Sequence, residues 1–152
     1  LRNVLMQNHD GAHRDLLYSM AAPVMESWLE RQGERLDSRR SWIYVGWVYD
    51  EIGRPAEARR AWERANASWE RIAEEDPSHE NLYNLACTRA LAGLTESALD
   101  ALSDSVDAGF RNRYHMSRDQ DLRSLHGQDR FAEIVERVRR ARREGGGVLI
   151  TE

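Results

Sequence analysis

Lysine is absent from this chain of 152 residues, cysteine occurs once, proline three times and phenylalanine twice. Each shortage closes off a class of protein. A single cysteine, Cys87, excludes an internal disulfide and a multi-cysteine metal knuckle, and fits a reducing compartment. With no lysine, all 22 basic residues are arginine, the mark of a GC-rich, bacterial coding background. Net charge is −4, with no basic run before the late cluster Arg137, Arg139, Arg140, Arg142 and Arg143, so the electrostatic footprint of a nucleic-acid partner is missing. No apolar stretch approaches the roughly twenty residues that span a bilayer, which excludes a membrane partner of the spanning kind and predicts a cytoplasmic protein. The first residue is Leu1, so the chain reads as a processed product or a piece of a longer protein, and a removed targeting segment stays open. There is no glycine-rich phosphate loop, nucleophile elbow or paired-carboxylate motif.

What the chain does contain is an echo. Trp42, Val45, Gly46, Gly53, Ala58 and Trp62 recur forty residues later as Leu82, Leu85, Ala86, Gly93, Ala98 and Leu102. A fixed period of large apolar, small and turn residues marks a helical hairpin used as a repeating unit. Helix-forming Ala, Leu, Arg and Glu dominate and β-branched residues do not alternate, so the spacing predicts an all-α protein, with a strand signal only at Val148 to Thr151. An amino-terminal helix is expected over 13–32, its stripe formed by Leu16, Leu17, Met20, Val24, Met25, Trp28 and Leu29. Asp37 or Ser38 caps the first hairpin, Gly53 stops its leading helix and Pro55 starts a long second helix carrying Trp69 and Ile72, so that the unit spans 38–76. Ser78 and Thr95 cap the helices of a second unit over 78–109, closed by Gly109. A degraded segment over 110–144, with Tyr114, Leu122, Leu125, Phe131 and Ile134, reads as a capping unit whose arginines, interleaved with Glu133, Glu136 and Glu144, make a solvated, ion-paired face. All of 1–144 is thus expected to form one helical domain. Gly145-Gly146-Gly147 begins a flexible tail over 145–152.

These residues resemble the tetratricopeptide repeat family, with Trp42, Val45, Gly46, Tyr49, Ala58, Trp62 and Ala65 on its signature positions and Leu82, Leu85, Ala86, Ala98 and Leu102 repeating them. The closing run from Gly109-Phe110 through Asp119, Asp121-Leu122, Leu125 and Asp129-Arg130-Phe131 is similar to the end segment of many bacterial multidomain members. A forty-residue spacing also suits armadillo or HEAT units; the seven-residue step from Gly46 to Gly53 favours the tetratricopeptide reading. The resemblance implies a right-handed array of helix-turn-helix repeats that binds a peptide or partner helix in a concave groove. By position, that groove takes Ile43, Trp47, Asp50 and Glu51 from the first copy and Tyr83, Asn84, Cys87 and Leu91 from the second, giving aromatics beside an acidic lip. The amino-terminal helix filling this groove is the alternative. A clamp for a carboxy-terminal carboxylate is excluded, since Ile43 and Trp47 stand where lysine and asparagine are needed.

The function expected is that of a scaffold or recognition module, alone or within a larger polypeptide, with no cofactor. Beyond the length a standard hairpin buries, the stripe at Trp69 and Ile72 must meet the amino-terminal helix or, in a homodimer, a second subunit. The enzymatic alternative is a small metal-dependent enzyme, or its helical appendage, using His9, Asp10 and His13: two histidines four apart share a helical face. Gly11 lies between them and no further ligand cluster follows. His79, His115 and His126 are scattered near turns, and Cys87 has no histidine close in sequence, so neither acid-base nor thiol catalysis is indicated.

Overall fold

The structure, a computed structural model, describes residues 11–32 and 38–145. Among these residues there is no strand: seven α-helices and one 3-10 helix follow one another. They are α1 (Gly11–Gln32), α2 (Ser38–Glu51), α3 (Pro55–Glu75), α4 (His79–Leu91), α5 (Thr95–Asp107), α6 (Arg113–Met116), the 3-10 helix (Gln120–Leu125) and α7 (Asp129–Gly145). The caps at Gly33 and Asp37, the signal at Val148 to Thr151 and the tail beyond Gly145 lie outside the described residues. The chain resolves into two compact units, Leu1–Ser68 and Trp69–Glu152, whose boundary falls within α3.

Two glycine turns forty residues apart match down to individual hydrogen bonds. Gly53 (φ 71°) ends α2, with Arg54 N–H donating to the Tyr49 carbonyl and Gly53 N–H to that of Asp50; Gly93 (φ 82°) ends α4 with the corresponding bonds from Leu94 to Arg89 and from Gly93 to Ala90. A left-handed residue there lets the chain reverse while two otherwise orphaned carbonyls are satisfied, and glycine adopts that backbone without a Cβ penalty. Ser78 caps α4 as expected, accepting from Asn81 N–H at 3.4 Å. Thr95 does not cap α5. Leu94, the residue that completes the turn after Gly93, takes the capping position without a side-chain bond, so Thr95 is already the first helical residue.

In the first unit α2 and α3 pack with almost no spacer. A Cβ added to Gly46 would lie 2.1 Å from Nε1 and 2.3 Å from Cδ1 of Trp62, whose indole N–H donates to the Ile43 carbonyl at 3.3 Å. α1 lies against α2, burying Tyr18, Ala22 and Leu29; the Tyr49 hydroxyl donates to Glu26 at 2.7 Å, and Arg64 of α3 pairs with Glu30 at 2.9 Å. Desolvation, and then the carboxylate of Glu26, push the Tyr49 phenol up to about 12.

In the second unit the residues of α3 from Trp69 onward, α4, α5, the 3-10 helix and α7 enclose one core around Tyr83, Leu102, Leu122, Leu125 and Val138. Trp69 and Ala73 are buried in that core and Ile72 packs against it, so the excess length of α3 is spent inside the second unit. The Trp69 side chain is thus covered within its own unit. The capping segment also differs in detail: Met116 is buried, whereas Tyr114 is exposed with the Arg118 guanidinium 4.3 Å over its ring. α7 is held to α5 by Arg130 on Asp100 and Arg137 on Asp107, pairs that ascend together by seven residues, so the two helices run in the same direction. On α7 itself, Arg139 pairs with Glu136 at 3.0 Å.

Candidate interaction surface

The sequence places the binding groove on the leading helix of each hairpin. In each unit, taken separately, that helix is covered by a flanking element. In the first unit Glu51 pairs with Arg14 of α1 at 3.1 Å, Ile43 is half-buried, and Trp47 stands edge-on to Trp62 with centroids 5.6 Å apart. Of the expected acidic lip, Asp50 stays exposed. Arg14 thus pairs with one of the two carboxylates of the acidic lip.

In the second unit Tyr83 and Cys87 are buried, correcting their assignment to an open groove. The segment Asp119–Leu125 lies on them because Leu122 and Leu125 are fully buried beside α4, and Ser124 Oγ donates to the Ala90 carbonyl at 3.2 Å. The Tyr83 ring stacks on Phe110 at 4.3 Å and its hydroxyl donates to Asp119 at 2.9 Å; the Cys87 thiol lies 3.9 Å from the same carboxylate oxygen, and His115 Nε2 lies 3.3 Å from it. The other Asp119 oxygen caps the 3-10 helix by accepting from Asp121 N–H. Asn84 and Leu91 are half-buried, Asn84 turning back to the Glu80 carbonyl at 2.8 Å. No sequence signal joined Asp119 to Tyr83, which lie 36 residues apart.

Cysteine, tyrosine, histidine and carboxylate suggest chemistry, but here they serve packing. Burial, then the charge of Asp119, raises the Cys87 thiol well above its ordinary range, so it stays protonated and unreactive; burial likewise raises the Tyr83 phenol. Donor atoms of Cys87, Asp119 and Asp121 lie within 4.8 Å of one another. Both Asp119 oxygens accept bonds from protein donors, the Tyr83 hydroxyl on one and Asp121 N–H on the other. Of the other metal candidate, His9 and Asp10 lie outside the described residues, while His13 is exposed on the first turn and a half of α1.

The largest departure from the sequence reading is on α1. Leu29 of the expected stripe is buried, but Leu16, Met20, Val24 and Trp28 are 57%, 65%, 67% and 51% exposed, with Leu17 and Met25 also exposed. At about 100° per residue these side chains form one face, and Tyr18, Ala22 and Leu29 lie on the roughly opposite one. α1 is apolar on both sides, and α2 can cover only one. The buried side is the one whose neighbours Arg14, Glu26 and Glu30 find partners on α2 and α3.

No helix among the described residues is long and apolar enough to cross a membrane. Compared with protein families, curated proteins and solved structures, the chain matches none of them.

Proposed function

We propose that the chain is a protein-recognition module made of tetratricopeptide-like hairpins, and that its docking face is the outer stripe of α1. The observation that carries this reading is a helix with large apolar side chains on two sides, one of them bare. A helix of that kind is stable when both sides are covered, and contiguous exposed apolar surface on a soluble domain marks an interaction site. Matching glycine endings forty residues apart and the close approach of Gly46 to Trp62 support the hairpin-array reading.

The occupant is an amphipathic helix of a partner protein. Leu16, Met20, Val24 and Trp28 recur every four residues over about 18 Å, three helical turns, which is the ridge a second helix packs against. Arg31 lies in line with the carboxyl end of this ridge and bonds Ser27 at 2.6 Å, leaving guanidinium donors for a carboxylate of the partner.

A benzophenone amino acid placed at Met20, in chain produced by its native cells, tests this. Irradiation is expected to give an adduct with a heterologous protein, lost when Trp28→Glu is added and absent when the photoprobe sits at Arg59. An adduct of the chain with itself would replace the partner by a second copy, and no adduct at Met20 would overturn the proposal.

A further inference from the structure

The second unit carries an arginine-lined cleft that recognition by α1 does not use. It lies where the end of α5 meets α7, has a volume of about 320 Å3, and is lined by Val106, Asp107, Arg111, Arg137, Arg140 and Ala141. From these residues we infer that the cleft binds a phosphoryl dianion.

Charge points to an anion of that order: three guanidiniums face one carboxylate, an excess of two positive charges. Geometry adds preorganisation. Arg111 Nη1 donates to the carbonyls of Val106 at 2.7 Å and Phe110 at 2.8 Å, so the guanidinium is fixed at the end of α5 with the donors of Nη2 and Nε unspent. Arg137 is fixed by Ser103 Oγ at 2.8 Å and by Asp107, each taking one N–H, so the guanidinium keeps further donors. Arg140 makes no hydrogen bond or ion pair among the described residues. Two forks are therefore held in place before a ligand arrives, and the third is available to close on it, which removes much of the side-chain ordering that anion binding otherwise costs. Planar guanidiniums match the oxygen edges of a phosphoryl group in paired hydrogen bonds. Arg111 also bonds the Val106 carbonyl at the carboxyl end of α5, setting a positive charge where the helix end would otherwise repel an anion.

The group has two sources, a free phosphate compound or a phosphorylated side chain. The experiment follows the arginine Nε–H signals by NMR at constant ionic strength, using inorganic phosphate, a short phosphoserine peptide and the same peptide unphosphorylated. Saturable shifts of Arg111 and Arg137 are expected with at least one phosphorylated probe and not with the plain peptide. A preference for the peptide assigns a phosphoprotein, and a preference for phosphate assigns a small compound. Arg140→Ala, which breaks no described contact, is expected to weaken binding about tenfold, whereas Arg59→Ala in the first unit leaves it unchanged. Absence of saturation with both phosphorylated probes, or equal binding by Arg140→Ala and the parent, would overturn the assignment.

Discussion

Replacing Gly46 by alanine adds one methyl group to a helix interior, where alanine is normally the better residue by about 1 kcal/mol. Here the sign is expected to reverse. The new carbon would sit 2.1 to 2.7 Å from three atoms of the Trp62 indole, against an ordinary contact of about 3.5–4 Å, so the ring must retreat by more than about 1 Å. Trp62 cannot retreat freely, because its N–H is bonded to Ile43 and its ring makes a T-shaped contact with Trp47. Overpacking costs about 1–3 kcal/mol. Weakening the indole hydrogen bond costs about 1 kcal/mol, and disturbing the aromatic pair about 0.5–1.5 kcal/mol. After the propensity gain, a net loss of about 1.5–4.5 kcal/mol, centred near 3, remains, or roughly 10 °C in Tm for a chain of this size.

The second copy supplies the control. Ala86 and Leu102 stand where Gly46 and Trp62 stand in the first, and both are fully buried. In a Trp62→Leu background the obstructing atoms are gone, so Gly46→Ala is expected to be neutral or stabilising by up to about 1 kcal/mol, a coupling of about 2–4 kcal/mol between the two sites. Thermal and urea unfolding of the parent, both single variants and the double variant measure it. Additive effects, or a Gly46→Ala variant as stable as the parent, would refute the close-approach account.

Three further outcomes follow from the same contacts. Asp119→Ala removes the acceptor of the buried Tyr83 hydroxyl and the cap of the 3-10 helix, and is expected to cost about 2–4 kcal/mol, whereas Tyr83→Phe costs about 1 kcal/mol; urea unfolding that finds the two equal would contradict the central place given to the carboxylate. Stability is expected to fall in alkali. Cys87, Tyr49 and Tyr83 hold their protons more tightly folded than unfolded, so their contribution is complete below the unfolded values of about 9–10 and is lost above them, for Tyr49 until the pH reaches about 12. Urea titrations at stepped pH check this, and Tyr49→Phe flattens the fall; unchanged midpoints above pH 10 would contradict it. On α1, Leu29→Ala is expected to cost about 2–5 kcal/mol while Val24→Glu stays within about 0.5 kcal/mol, because one side chain is buried and the other bare. Equal losses in thermal unfolding would place the wrong face outward.

The legible part of this protein is the part fixed by neighbours in sequence. Helix identity, the lengthened α3, the left-handed glycines at Gly53 and Gly93 and the Ser78 cap all depend on residues within about five positions of one another, and the forty-residue echo displayed the glycine turns twice. Pairing a small residue with a bulky one, as in Gly46 with Trp62, was also readable, since the echo preserves both members.

Tertiary structure decided everything that depends on which of two similar faces is covered. α1 has apolar side chains on both sides, and its sequence cannot say which side α2 takes; the choice follows from Tyr49, Arg14 and Arg64 meeting Glu26, Glu51 and Glu30 across helices. Cys87 and Tyr83 read as open groove positions because Asp119, which binds them, lies more than thirty residues away. The arginines of α7 read as a solvated face until folding brought two of them beside Arg111 and α5. Sequence determined the helices, through local propensity and spacing; contacts between distant residues determined which surfaces stay exposed.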